Sequence, residues 1–220
     1  MSWHWVQEQG ALVLRFTPLP RGVREFGVVG RRPARDCGDP LAGRGGVWLE
    51  QVHGASVRRA TAPGLLQACD GAMTTQSGLL LTLRVADCLP VLLAAPGDGL
   101  ALVHAGWRGL DAGILEAAAA CFRDPAALTA VIGPGIGPCC FEVGPEVAER
   151  FPEDLRLPRR SGPAHVDLFA AARRRLLASG VRPGGIGAPG PCTRCHQHLL
   201  HSHRGSGGDG GRNIAFAAAS

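Results

Sequence analysis

The chain has 220 residues, enough for one large domain with a sizeable core, and 45% of them are hydrophobic, as in ordinary globular proteins. The formal charge of +5 does not point to nucleic acid: all 23 basic residues are arginine, lysine and tyrosine are absent, and the Ala, Gly, Pro and Arg content reads as GC-rich coding bias. The most apolar region, Leu79 to Val103, is interrupted by Arg84, Asp87, Pro90, Pro96 and Asp98, which argues against a membrane span. The opening segment MSWHWVQEQG has no basic region followed by an apolar one, so a cytoplasmic protein with reduced thiols is expected, and its eight cysteines are read as hydrophobes, ligands or nucleophiles.

In chain order, apolar runs predict strands at Leu12 to Phe16, Val47 to Val52, Leu79 to Val85, Pro90 to Ala95, Leu100 to His104 and Ala130 to Ile132. Several are apolar on both faces and are expected to be covered on both sides. A tight turn is expected at APGDG, residues 95 to 99. Leu110, Ile114, Leu115, Ala118 and Phe122 recur at helical spacing, with Asp111 near the start of that helix. A short helix is expected from Pro145. Asp167 is a predicted N-cap for a helix carrying Leu168, Ala171, Ala172 and Leu176 and closed by Gly180. Its Arg173, Arg174 and Arg175 read as a solvated face. Gly133 to Pro138 and Pro183 to Pro191 read as loops, and residues 204 to 211 as a mobile segment. Strands and helices do not alternate as βαβ units. The expected fold class is therefore α+β, a multilayer sandwich with mixed sheets in one domain spanning 1–220.

Four stretches carry chemistry. QVHGASV places His53 at a strand end, VADCLPVLL places Asp87 and Cys88 between two apolar strands, and HAGWRG puts His104 and Arg108 at the mouth of a third. The fourth, CTRCHQHLLHSHRG, holds Cys192, Cys195 and four histidines. Cys192 and Cys195 have the spacing of half a structural zinc site, which His198, His201 or His203 would complete; a histidine-rich surface loop is the plainer reading. Polar groups at strand ends gather at sheet edges, where sites are commonly built. His53, Cys88 and His104 would there make a zinc set with a position left for water. Each read singly is a satisfied core residue, and spacing does not decide between these. Glycines 133 to 137 offer backbone N–H groups that suit an anion.

QVHGASV, ADCLPVLL, HAGWRG, IGPGIGPCCFEVG and the C-terminal CT…HSHR…GRNIAF together resemble the YfiH-like family, once called the laccase-domain or multicopper polyphenol oxidase family. The resemblance runs from about Val47 to Phe216. It implies an α+β sandwich of several layers, a cytoplasmic monomer, and a metal site of His53, Cys88 and His104 holding zinc, with copper as the alternative. It implies phosphorolysis of adenosine, inosine and methylthioadenosine, and deamination of adenosine, with laccase-like, copper-dependent polyphenol oxidation as an alternative, and a role in correcting peptidoglycan precursors is attached to some bacterial members. Purine nucleoside and phosphate would be the partners, with neither nucleic acid nor membrane. The chain departs from the family where Leu19 falls in place of an N-terminal arginine, for which Arg21 would substitute, and where Gly205 replaces a second arginine after Arg204.

Phosphorolysis needs an arginine fork for the phosphate, and Arg108, beside His104, is the leading candidate, with Arg204 and Arg21 as helpers. A surface ion pair is the bland reading of Arg108. Deamination needs a hydroxide near neutral pH, which a zinc-bound water supplies. Asp87 is read as orienting a neighbouring group or shuttling a proton, or else as facing away from the metal, since adjacent side chains of a strand point to opposite faces. Two other classes fit the same residues. Cys88 and His104 suit a metal-free Cys-His hydrolase or amidase, and the C-terminal cluster suits a non-catalytic metal-binding protein.

Overall fold

The computed structural model describes residues 2–9, 11–31, 41, 43–157, 162–208 and 210–220. Among the described residues fifteen strands run in chain order: β1 Ser2–Glu8, β2 Ala11–Thr17, β3 Val23–Val29, β4 Gly46–Leu49, β5 Val57–Arg59, β6 Gly64–Leu66, β7 Gly71–Thr74, β8 Leu80–Val85, β9 Leu89–Ala95, β10 Gly99–Ala105, β11 Thr129–Ile132, β12 Glu142–Val143, β13 Arg156–Leu157, β14 Ala164–Val166 and β15 Asn213–Ala219. The α-helices are α1 Trp107–Ala112, α2 Ile114–Ala119, α3 Pro145–Ala148 and α4 Leu168–Ala178. The strands form three sheets: β1-β2-β3-β15-β8-β4-β6, β11-β9-β10-β7-β5, and the small β12-β14-β13. Parallel and antiparallel pairs occur together in the two larger sheets, so the fold is α+β with mixed sheets.

Alternation along β9 and β10 explains the layering. Leu92, Ala94, Leu100 and Leu102 pack with Phe16, Phe26, Val47, Leu81, Leu83 and Ala217 of the seven-stranded sheet. Val91, Leu93, Ala101 and Val103, one residue out of phase, pack with Leu110, Ile114, Leu115, Leu168, Ala172 and Leu176 of the helices. Successive side chains of a strand face opposite ways, so a strand in a middle layer must be apolar throughout. That is why these two runs show no alternation in sequence.

The structure differs from the sequence expectation in three respects. The strand expected to reach Val52 stops at Leu49, and Val52 is 54% exposed. Backbone N–H groups of Val52, His53 and Gly54 donate to the buried Asp70 carboxylate instead of to a sheet neighbour. The helix carrying Leu110 to Phe122 begins earlier, at Trp107, and is split at Gly113, whose φ of 89° is left-handed and ends α1. Third, β1, β3, β5 to β7 and β12 to β15 have no counterpart among the expected strands, and β15 lies at the centre of the larger sheet. Elsewhere Asp167 caps α4 by accepting from the Ala170 N–H, and Gly180 follows the helix at a φ of 94°. Arg174 pairs with Asp154 and Arg175 with Glu116. Residues of the segment expected to be mobile are tied by local bonds, Gly205 N–H to Ser202 Oγ and Gly208 N–H to the His203 carbonyl. No helix among the described residues is long and apolar enough to cross a membrane.

Candidate metal centre

The site forms where the chain passes between the two large sheets. Strand β8 belongs to one and β9 to the other, and the turn between them carries Asp87 and Cys88. Asp87 has a φ of 84°, a conformation few residues adopt away from glycine. It reverses the chain tightly enough to start β9 at Leu89. Strand β10 pairs with β9 so that His104 lies opposite Pro90, bringing His104 to the same end of the sheet as Cys88. On its other side β10 pairs Val103 with Gly71 of β7, and the His104 N–H donates to the Asp70 carbonyl at 2.7 Å. A Cβ on Gly71 would lie 2.6 Å from Val103 Cγ1, so glycine permits this close pairing.

Asp70 organises the remaining ligand loop. It is fully buried and receives the N–H groups of Val52, His53 and Gly54 at 3.2, 2.9 and 2.7 Å. Its Oδ1 also lies 2.8 Å from His104 Nδ1. His53 sits at a φ of 61°, held there by these bonds, and Gln51 ties the same loop to the backbone of Arg84. One carboxylate therefore places both imidazoles. Fixing Nδ1 of His104 leaves Nε2 as its remaining ring nitrogen, the usual way a carboxylate orients a ligating histidine.

Donor atoms of His53, Cys88 and His104 lie within 4.8 Å of one another, and the two rings meet edge to face with centroids 4.9 Å apart. Burial works against charge on Cys88, but hydrogen bonds from His104 and His53 outweigh it and bring the thiol down to about 6. Burial also opposes charge on His104, yet its bonds to Asp70 and Cys88 raise it to about 9. The Asp70 carboxyl is likewise held below its usual range despite burial, chiefly by His104 and the loop N–H groups. Two imidazoles and a readily formed thiolate are a fitting set for a borderline-soft ion, and three protein donors are what catalytic rather than closed structural sites provide.

The donors form part of the lining of a cleft of about 670 Å³, within the size range of small-molecule sites. Its charged lining residues are Arg84, Arg108, Arg204 and Arg212 against Glu50 and Asp87, so its character is cationic. The Arg108 guanidinium lies 4.4 Å from the centroid of the Trp107 ring and has no ion pair with a described residue. Arg204 is fixed differently: its N–H donates to Asp87 Oδ2 at 2.7 Å and its Nη1 to the Glu142 carbonyl at 2.6 Å. The other Asp87 oxygen accepts from Thr193 Oγ1 at 2.6 Å. Thus Asp87 faces the C-terminal segment.

Not every candidate arrives here. Arg21 is exposed in the turn between β2 and β3 and is not among the cleft lining residues. The adjoining Gly22 lies against Ala95 and Pro96, beside the β9–β10 turn, at the end of β10 remote from His104. The Gly133 to Gly137 loop has no spare donors for an anion: its N–H groups go to the Pro90, Pro191 and Asp87 carbonyls and to Cys192 Sγ. Of the C-terminal histidines His203 lines the cleft, whereas His198 stacks on His196. Cys192 and Cys195 gather with Cys139 and Cys140 rather than with histidine. Sequence reasoning missed Asp70. An aspartate immediately before an apolar, glycine-initiated strand was the available signal, but its partners are 16 to 34 residues away.

Fold and site together define a layered α+β protein that gathers histidine and cysteine donors in the lining of a cationic cleft. The chain belongs to the YfiH-like family, described as multi-copper polyphenol oxidoreductase laccase, whose model matches residues 36–220. It is 36% identical over 197 residues to purine nucleoside phosphorylase YlmD of Geobacillus stearothermophilus, covering 77% of this chain and 70% of that protein. It is 35% identical over 162 residues to adenosine deaminase RL5, from an unknown prokaryotic organism, covering 68% of this chain and 62% of that protein. The crystal structure of YlmD from Geobacillus stearothermophilus superposes with a TM-score of 0.86 at 29% identity, covering 98% of both chains.

Proposed function

We propose that this chain is a zinc-dependent purine nucleoside enzyme that phosphorolyses adenosine, inosine and methylthioadenosine and also deaminates adenosine. The observation that carries the reading is the meeting of His53, Cys88 and His104 beneath an arginine-lined cleft. Similarity to proteins named for both activities supports it. Zinc held by these three residues would supply Lewis acidity, able to bring a water's pKa to about 7.

The chain's own groups do the rest. Arg108, without an ion-pair partner among the described residues, is free to take a phosphate through its planar fork. Arg204, also in the cleft lining, adds positive charge, positioned by Asp87 and the Glu142 carbonyl. Asp87 serves as a positioning residue, because both its oxygens are engaged by the segment that carries Arg204. Trp107 and Phe141 line the cleft and provide apolar surface for a purine ring. The chain is taken to act as a cytoplasmic monomer on small molecules.

A second reading rests on the polarised Cys88–His104 pair: a thiol lowered to about 6 beside an imidazole raised to about 9 is what a Cys-His hydrolase or amidase uses. One experiment separates the two. Adenosine is incubated with and without phosphate, before and after exhaustive chelation, and products are resolved by chromatography. The zinc reading expects adenine only with phosphate, inosine without phosphate and inosine with hypoxanthine in its presence, and loss of all of these on chelation with recovery on zinc addition. Copper restoring turnover where zinc does not would reassign the ion. Undiminished turnover in fully metal-free protein would replace the zinc reading with the cysteine hydrolase.

A further inference from the structure

A second cluster of metal-ligating side chains lies apart from His53, Cys88 and His104. Cys139 and Cys140 follow the Gly133 to Pro138 loop, and Cys192 and Cys195 follow the Pro183 to Pro191 loop. All four Sγ atoms lie within 4.8 Å of one another. Cys195 Sγ is 3.5 Å from Cys139 Sγ and 3.6 Å from Cys140 Sγ. With metal–sulfur bonds of ~2.3 Å, a tetrahedral site has sulfur–sulfur edges of roughly 3.8 Å. The observed separations approach that edge and far exceed the ~2.05 Å of a disulfide.

The backbone around the cluster supports the same conclusion. Cys192 Sγ accepts the Gly137 N–H at 3.2 Å, a backbone donor of the kind that stabilises a ligating thiolate. A Cβ on Gly137 would lie 3.2 Å from Cys192 Cβ and 3.3 Å from Cys139 Sγ, so glycine there leaves room for the loop to lie tightly against the cluster. The two loops are already aligned by a short parallel bridge, with Gly135 N–H on the Pro191 carbonyl and Thr193 N–H on the Gly135 carbonyl.

We propose that Cys139, Cys140, Cys192 and Cys195 form a second metal site, a tetrathiolate zinc centre that staples the 133–143 segment to the 191–204 segment. Four sulfur donors within 4.8 Å of one another select zinc over hard cations, and a full set of four leaves no position for substrate, so the centre is structural. Its place gives it a consequence for the cleft. Phe141, next to Cys140, lines the cleft, and Glu142 anchors the Arg204 side chain. Thr193, next to Cys192, holds Asp87, which in turn holds the Arg204 backbone. The staple thus fixes both supports of one cleft arginine.

The test measures metal and its ligands, independently of turnover. Protein purified under reducing conditions should carry about two zinc ions per chain, one for each donor cluster. Cys88→Ser should lose one and retain the other, and X-ray absorption of that variant should show a shell of four sulfurs at ~2.3 Å with no nitrogen. The Cys139→Ser/Cys195→Ser double variant should lose the sulfur-only zinc and keep the mixed nitrogen–sulfur one. Should the double variant fail to fold, the Cys88→Ser spectrum still decides. A Cys88→Ser protein without metal, or with nitrogen in its shell, overturns the proposal. So do iron in place of zinc, and thiol titration of unreduced protein showing these cysteines oxidised in pairs. The two sites fail separately: loss of the tetrathiolate signal leaves the His53–Cys88–His104 reading intact, and metal-independent purine turnover leaves the staple intact.

Discussion

At the scale of single residues, Asp70 and Arg108 do opposite kinds of work. Asp70 is buried with every partner placed, three loop N–H groups and one imidazole. Replacing it by asparagine turns one acceptor oxygen into an N–H₂ donor that must face an N–H or the His104 ring. An unsatisfied buried donor costs about 1–3 kcal/mol, and a disturbed partner of a ligating histidine typically costs about 10–100-fold in metal affinity. Asp70→Asn should therefore bind metal at the His53 site 10–100-fold more weakly, checked by competition with a chromogenic chelator. Unchanged affinity would mean that the ligand loop holds itself. Arg108 has no such partners among the described residues, its one close contact being the Trp107 ring. Arg108→Ala should leave the melting temperature nearly unchanged while weakening phosphate use by about 2 kcal/mol or more, as expected when a charged contact is lost. Comparing kcat/KM for phosphorolysis with that for deamination checks this. Equal losses would assign Arg108 to the nucleoside instead.

At the scale of elements, close approaches decide what the site tolerates. Helix α1 begins directly after Gly106, whose φ of −81° and ψ of 175° suit any residue. Space, not backbone freedom, demands glycine here, because a Cβ would lie 2.7 Å from Cys88 Sγ and 3.9 Å from His53 Cδ2. Gly106→Ala should consequently fold with little loss of stability yet displace the thiol and reduce metal content. Metal analysis beside a thermal melt tests this. Full metal loading in the alanine variant would show that the 86–88 turn can yield. Gly113 is the contrasting case. Its left-handed φ of 89° breaks one helical repeat into α1 and α2, a break that the Leu110–Phe122 spacing does not announce.

At the scale of the whole molecule, stability resides in the middle sheet. Leu102 is completely buried and packs with the core shared by the two large sheets, while Leu65, on the edge strand β6, is 61% exposed. Leu102→Ala should cost about 2–5 kcal/mol, the range for large-to-small changes in a packed core. Leu65→Ala should change stability by about 0.5 kcal/mol or less. Denaturant unfolding of both variants checks the contrast. Similar losses would mean that the layers do not share their core as described.

What was legible in the sequence follows from what is local. The runs at β2, β8, β9, β10 and β11 were visible because burial on both faces leaves little room for polar residues. The Asp167 cap and the helix after it were visible because capping is decided within a few residues. His53, Cys88, Arg108 and His104 stood out as polar groups interrupting apolar stretches. Strand β15 was hidden because its alanine-rich sequence, NIAFAAA, is shaped by close packing at the centre of a sheet rather than by strand propensity. Only the tertiary structure joined Asp70 to His104 across 34 residues and Asp87 to Arg204 across 117. It likewise carried Arg21 away from the cleft and gave Cys192 and Cys195 two cysteine partners in place of histidines. Those choices depend on strand register and on where two loops cross, set by packing between segments distant in sequence. Local composition and pattern set which elements were apolar enough to be layers and which residues had the chemistry for a site. The positions of those residues relative to one another were decided only when the layers packed.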